Sequence, residues 1–131
     1  MEHKKQITTP DAPTPAGPYS QGIVSGDFVF VAGQRPQNPH TGEIPADIQA
    51  QTAQVISNIE AILAAYNCTL ADVVRSTVYL SDISLFNPMN EIYSACFPKP
   101  YPVRTTIGVQ LRGIDVEIDV IARLPKEEKN A

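Results

Sequence analysis

The alternation of apolar and polar residues divides the chain into strands and helices. Two apolar runs flank Ser25-Gly26-Asp27, a pattern typical of a β-hairpin turn. The run Phe28–Ala32 is apolar throughout, which predicts a strand covered on both faces. Residues 73–80 alternate and predict another strand. The residues expected on one face of that strand are Val74, Ser76, Val78 and Leu80.

Two further segments carry apolar residues at helical spacing. The first helix is expected to begin after Asp47, as N-cap, and to end near Asn67. The second helix is expected over residues 86–97, with Pro88 in its first turn. The apolar positions are Ile48, Val55, Ile59, Ile62 and Tyr66 in the first helix and Phe86, Met89, Tyr93 and Phe97 in the second.

The last two predicted strands cover residues 103–110 and 116–123. The connection around Arg112-Gly113 predicts that they pair as a hairpin, which would bring Glu117 near Arg104. Residues 1–19 are rich in proline and predict an arm or edge segment. The order β-β-α-β-α-β-β then predicts an α+β domain with both helices on one face of a mixed sheet. The other sheet face is left uncovered, so we expect self-association.

The composition is that of a single folded domain over residues 1–131. Hydrophobic residues make up 43% and charged residues 18%, and we expect flexibility only at residues 1–11 and 125–131. A net charge of −4 argues against binding to nucleic acid or to a membrane surface. No secretory signal pattern is present, so we expect a cytoplasmic protein with Cys68 and Cys96 as reduced core thiols.

Few side chains in the sequence offer catalytic chemistry. No phosphate-binding motif and no Cys/His spacing for zinc is present, so we expect no metal. The histidines, His3 and His40, have no local carboxylate to orient them, which disfavours histidine catalysis. The remaining candidates are Arg104, whose planar guanidinium matches a carboxylate, and Glu117, which is able to act as a base towards water.

Each candidate also has a purely structural interpretation. Arg104 begins an otherwise uncharged strand, where it either binds an anion or forms a salt bridge with a surface acid. Glu117 shares its strand face with two aspartates, which indicates either a solvated face or a base in a cleft between subunits. Tyr19 and Asn90 either contact a ligand or pack against neighbouring segments.

Several segments, in order, resemble the Rid/YjgF family. They read AGPYSQG, VAGQ followed by NPHTGE, MNEIY, PVRTT and VEID, and the resemblance runs from about Ala12 to Ala122. The family includes the reactive intermediate deaminase A group, and some members are described as translation inhibitors or L-PSP endoribonucleases. The resemblance implies a chorismate-mutase-like fold assembled as a homotrimer, with the sheets in a central barrel and clefts between subunits.

The resemblance also implies an activity that needs no cofactor. The archetype of the family hydrolyses 2-imino acids, such as 2-iminobutanoate and 2-iminopropanoate, to 2-oxo acids and ammonia. Arg104 corresponds to the arginine that binds the substrate carboxylate, and Glu117 to the glutamate that positions the attacking water. The positions that correspond to further substrate-binding residues are Tyr19, Gly33, Asn90 and Thr106, the last through its backbone carbonyl.

The chain departs from the family pattern at several positions. Ala32 replaces a serine, Thr106 a cysteine and Arg35 a commonly apolar residue, and the segment 98–103 is short and rich in proline. These changes leave the substrate side chain open. Alternatives are a deaminase of another small carboxylate, such as an aminomuconate-type intermediate, and a non-catalytic 2-oxo acid sensor. The acidic charge disfavours a ribonuclease.

Overall fold

The computed structural model describes residues 3–126 as a six-stranded mixed sheet with two α-helices. Of the tail expected to be flexible at residues 125–131, residues 127–131 lie outside the described range. The elements are β1 Lys5–Ile7, β2 Gly22–Ser25, β3 Phe28–Gln34, α1 Ile48–Ala64, β4 Val73–Leu80, α2 Phe86–Cys96, β5 Val103–Gly108 and β6 Val116–Arg123, with short 3₁₀ turns at Leu70–Asp72 and Ile83–Leu85.

The strand order across the sheet is β1-β2-β3-β6-β4-β5. Strands β4 and β5 run parallel, and the other neighbours run antiparallel. The predicted hairpin around Gly26 is confirmed, because Ser25 pairs with Phe28 and Gly26 has a φ of +60°, which glycine adopts readily. The proline-rich segment contributes β1 at a sheet edge, as its composition predicts. Flexibility of residues 1–11 stays a prediction.

Both helices begin where their sequences indicate. The Asp47 carboxylate accepts a hydrogen bond of 2.7 Å from the Ala50 amide and caps α1. Beyond the end of α1, Asn67 takes a left-handed φ of +61°. Pro88 lies in the first turn of α2, where an amide donor has no partner within the helix. A side-chain cap therefore sets the start of α1, and the start of α2 is compatible with its proline.

The helices cover one face of the sheet, as expected for this α+β class. One hydrophobic core joins buried residues of α1 and α2 to alternate residues of β3, β4 and β6. The core residues of β6 are Val116, Ile118, Val120 and Ala122, each at most 2% exposed. No helix within residues 3–126 is long and apolar enough to cross a membrane.

The opposite face of the sheet has no cover within one chain. Phe30 in β3 is 43% exposed, and Val103 and Ile107 in β5 are 63% and 39% exposed. The prediction that Phe28–Ala32 is covered on both faces is therefore wrong for the isolated chain. The apolar residues on this face agree with the sequence argument for self-association.

Three local predictions are wrong. Strands β5 and β6 do not form a hairpin, because β4 lies between them and pairs with both. Val74 does not share the buried face of β4, because an irregularity between Val73 and Arg75 shifts the alternation and leaves Val74 exposed. Cys96 is exposed at the end of α2 rather than buried, while Cys68 is buried as expected.

Candidate functional site

Strand β5 places Arg104 on the helix-covered side of the sheet, at its edge. Arg104 pairs with Ser76 of β4, and its guanidinium carbon lies 4.5 Å from the Tyr93 ring centroid and 5.4 Å from that of Phe86. These are cation–π contacts. No carboxylate among residues 3–126 lies within 4.0 Å of the guanidinium, which contradicts the salt-bridge interpretation within that range.

The Tyr93 side chain that contacts this cation is held in place by two interactions. Its hydroxyl lies 2.6 Å from the buried Ser76 hydroxyl, and its ring stacks on Phe97 with centroids 4.3 Å apart. Burial raises the pKa of Tyr93, against the lowering effects of the Ser76 hydrogen bond and the Arg104 charge. The phenol therefore stays protonated at neutral pH and holds its hydrogen bond to β4.

An open cavity of about 200 Å³ lies beside the guanidinium, and we call it the arginine cavity. Asn90 of α2 lies in its wall. The Tyr101 hydroxyl donates a 3.4 Å hydrogen bond to the Ser94 carbonyl, which links the loop before β5 to α2. The lining residues are Asn90, Tyr93, Ser94, Tyr101, Pro102 and Arg104.

Glu117 lies on the opposite, uncovered face of the sheet. It is half-buried and pairs with Tyr79 of β4. Burial raises the pKa of Glu117, while the Arg35 charge lowers it and the Asp119 charge raises it further. Asp119 itself accepts a 2.8 Å hydrogen bond from the Tyr79 hydroxyl, an interaction that raises the pKa of Tyr79. This face is therefore not simply a solvated row of acids.

A second open cavity, of about 320 Å³, contains the Glu117 carboxylate, and we call it the glutamate cavity. Its lining residues are Tyr19, Ala32, Gly33, Arg35 and Glu117. A Cβ atom at Gly33 would collide with the Glu117 carboxylate, so only glycine leaves room for that carboxylate. Tyr19 is half-exposed, and its hydroxyl accepts a 3.2 Å hydrogen bond from the Ala16 amide.

The candidate residues thus fall into two groups. Asn90 lines the arginine cavity with Arg104, and Thr106 lies two positions further along β5 on the same face. Tyr19 and Gly33 line the glutamate cavity with Glu117. The two groups are on opposite sheet faces, so one chain does not bring Arg104 and Glu117 together.

Sequence reasoning missed part of both cavities. It placed Tyr93 only on the apolar side of the second helix, gave no site role to Ser94 or Tyr101, and noted Arg35 only as a departure from the family pattern. The available signal was the Tyr101-Pro102 pair directly before β5, since a fixed proline φ limits where the next strand points.

The histidines lie outside both cavities. Neither histidine has a local carboxylate in the sequence, but the fold brings the His40 Nε2 within 3.4 Å of the Asp11 carboxylate. Both side chains of this pair are largely exposed, as is usual for a surface ion pair. Residues 11 and 40 are distant in sequence, so no local pattern indicated the contact.

Comparison with known proteins identifies the family to which this fold belongs. Residues 9–124 match the family model described as Endoribonuclease L-PSP. The RutC family protein PH0854 of Pyrococcus horikoshii is 47% identical over 125 residues, which cover 95% of this chain and 99% of that protein. The 2-iminobutanoate/2-iminopropanoate deaminase of Escherichia coli K12 is 38% identical over 121 residues, covering 90% and 94%.

A solved structure supports the same conclusion. The crystal structure of Escherichia coli TdcF with bound serine has a TM-score of 0.87 and 38% identity to this chain, covering 91% of it and 98% of TdcF. The chain belongs to the Rid family, also called the YjgF or RutC family. The resemblance seen in the sequence motifs is thereby confirmed.

Proposed function

We propose that this protein hydrolyses small 2-imino acids to 2-oxo acids and ammonia, in sites formed where copies of the chain meet. Arg104 binds the substrate carboxylate and Glu117 activates the attacking water. The observation that carries the proposal is the Arg104 guanidinium, which faces an open cavity with no carboxylate partner among residues 3–126. A guanidinium held in this way is able to bind an anion through its free donors.

The geometry around Arg104 suits a small carboxylate. The rings of Tyr93 and Phe86 hold the guanidinium, which leaves its donors for a forked pair of hydrogen bonds. Each such charge-assisted bond contributes roughly 1.5–3 kcal/mol. The Asn90 amide in the same wall supplies a further polar group. The bound serine in the TdcF structure is a small α-carboxylate ligand of a relative, which supports this ligand class.

The environment of Glu117 suits general-base catalysis. Since burial raises the pKa of its carboxyl, the ionised form is a stronger base than an exposed glutamate. A positioned general base contributes roughly 10²–10⁴-fold to rate. Tyr19 forms part of the wall of this cavity, and the Thr106 backbone carbonyl of a neighbouring copy is a candidate second acceptor for the water.

Assembly of several copies would unite the two cavities. The uncovered sheet face exposes Phe30, Val103 and Ile107, and a second copy would remove these residues from water. If each copy binds the next through two different surfaces, a homotrimer with the sheets in a central barrel satisfies every such contact in a closed ring. In that arrangement, the arginine cavity of one chain faces the glutamate cavity of the next.

The reaction then follows from the charges. Water adds to the iminium carbon while Glu117 accepts one of its protons, giving a tetrahedral intermediate with one hydroxyl and one amino group. Glu117 returns the proton to the nitrogen, the C–N bond breaks and ammonia leaves. The departing ammonia accepts the hydroxyl proton, which gives the 2-oxo acid and ammonium. Arg104 holds the carboxylate throughout, and no electron acceptor is needed.

The test is the decay of 2-iminobutanoate and 2-iminopropanoate, generated in the assay from threonine and serine by a PLP-dependent dehydratase. We expect the wild-type protein to accelerate the decay. Arg104→Ala and Glu117→Gln should lose most of this activity, and Lys5→Ala should retain it. Lys5 is an exposed cation on β1 that lines neither cavity. A folded wild-type protein that binds 2-oxobutanoate without hydrolysing any imine would instead be a sensor.

A further inference from the structure

We propose that Arg35 makes this site selective for 2-imino acids that carry a second carboxylate at the end of the side chain. The inference rests on the function proposed above and names its substrate class. The imines in question derive from amino dicarboxylic acids, and 2-iminosuccinate and 2-iminoglutarate represent them. Arg104 would bind the carboxylate next to the imine, and Arg35 the distal one.

The position of Arg35 is the first observation. Arg35 follows β3 directly and lines two adjoining hollows, the glutamate cavity and a smaller one beneath the proline-rich segment. The smaller hollow is lined by Pro13, Thr14, Pro15, Ala16, Tyr19, Gln21, Gly33, Gln34, Arg35 and Gln37. A cation at the junction of two open hollows, with Glu117 in one of them, is well placed to meet a substrate.

The bonding of Arg35 is the second observation. One guanidinium nitrogen donates a 3.3 Å hydrogen bond to the Arg112 carbonyl, which anchors the group to the loop before β6. No carboxylate in the range 3–126 lies within 4.0 Å of it, Glu117 included. Arg35 as a whole residue is half-buried, while the hydrogen bond of its guanidinium to Arg112 lies at the surface. An accessible guanidinium forms charge-assisted hydrogen bonds with a carboxylate. Arg35 therefore has donors available for a ligand.

The relationship between Arg35 and Glu117 defines the geometry further. Arg35 is close enough to lower the pKa of Glu117, yet the two groups do not form a salt bridge. Both line one cavity with their charged atoms more than 4.0 Å apart, so Glu117 does not occupy the donors of Arg35. Ala32, in the same lining, is small and adds space for a side chain.

A simpler role for Arg35 is to tune the charge of Glu117 alone. That role changes the rate for every imine by the same factor, because the base is common to all of them. Direct binding of a distal carboxylate instead changes the ratio of rates between dicarboxylic and monocarboxylic imines. The ratio of kcat/KM values is therefore the decisive quantity.

The experiment compares 2-iminosuccinate and 2-iminoglutarate, generated from aspartate and glutamate by flavin-dependent oxidases, with 2-iminobutanoate. For the wild-type protein, we expect at least one dicarboxylic imine to exceed 2-iminobutanoate in kcat/KM by about tenfold or more. Arg35→Met, which keeps an unbranched apolar stem but not the charge, lowers this ratio about tenfold. Arg35→Lys retains most of it, and Lys5→Met, the matched loss of one charge outside the cavities, leaves it unchanged.

The outcomes separate this inference from the proposed function. If the wild-type protein hydrolyses 2-iminobutanoate and Arg35→Met does not change the ratio, the inference about Arg35 is wrong and the proposed function stands. If Arg35→Met is folded by circular dichroism and the ratio falls, direct recognition is supported. If the wild-type protein accelerates the decay of no imine, both proposals are wrong.

Discussion

The guanidinium carbon of Arg104 lies 4.5 Å from the centroid of the Tyr93 ring. A cationic side chain of β5 therefore packs on an aromatic side chain of α2. The Tyr93 hydroxyl in turn lies 2.6 Å from that of Ser76 in β4. Strand β4 and helix α2 therefore fix the candidate carboxylate-binding group from two sides. This rigidity favours binding, because little side-chain freedom remains to be lost when an anion arrives.

The Tyr93 ring and hydroxyl have separable effects. Tyr93→Phe keeps the ring but leaves the buried Ser76 hydroxyl without its partner, so we expect a loss of about 1–3 kcal/mol in unfolding free energy with little change in KM. Tyr93→Leu removes the cation–π contact, worth roughly 0.5–2 kcal/mol, and raises KM as well. Urea unfolding and steady-state kinetics measure the two effects. An equal rise in KM for both variants would show that the ring does not position Arg104.

Gly33 is predicted to control the position of Glu117. In Gly33→Ala, the new Cβ collides with the Glu117 carboxylate and displaces it, so we expect kcat to fall about tenfold or more. Gly108→Ala is the matched control, because the nearest atom to its Cβ would be 3.5 Å away, an ordinary contact. Wild-type kcat in Gly33→Ala would argue against Glu117 as the base.

Glu117 is predicted to give the protein a pH-dependent stability. Since burial raises its pKa in the folded state, the folded protein holds this proton at pH values where the unfolded chain has released it. The contribution of Glu117 to stability therefore falls as pH rises from the ordinary glutamate pKa through the raised value. We expect the Tm of Glu117→Gln, relative to wild type, to increase over this window. A difference that is constant with pH, or that decreases, would contradict the assignment.

Most secondary-structure elements follow from local patterns in the sequence. The Asp47 cap, the Gly26 turn and the alternation of β6 depend on neighbouring residues, so the sequence alone predicts them. The bulge near Val74 arises from pairing with β6 and has no local signal.

The main error in the predicted topology was the pairing of β5. Proximity in sequence favoured a hairpin with β6, but β4 and β5 are joined through α2, and a helical crossover permits parallel pairing. Seven residues separate Gly108 from Val116, a longer connection than the tight turn that the hairpin prediction required. Arg104 and Glu117 therefore lie on opposite faces. The sequence still indicated both residues as candidates, because each lies in a family motif. A motif does not specify which copy of the chain contributes each residue to a site.

The exposed apolar face is predicted to be the surface that joins copies. Phe30→Glu places a charge where β3 is 43% exposed, so we expect dissociation to particles of 14.3 kDa in light scattering. Ile44→Glu, at a position that is 37% exposed in the loop before α1, leaves the mass unchanged. A wild-type particle of 14.3 kDa at micromolar concentration would contradict the assembly outright.

The most direct measurement mixes two inactive variants, Arg104→Ala and Glu117→Gln, by co-refolding them in equal amounts and assaying 2-iminobutanoate hydrolysis. If each site takes Arg104 from one copy and Glu117 from the next, random assembly into trimers restores about a quarter of wild-type activity. Each variant refolded by itself stays inactive. A mixture that assembles fully and remains as inactive as its parents would contradict a catalytic site shared between chains.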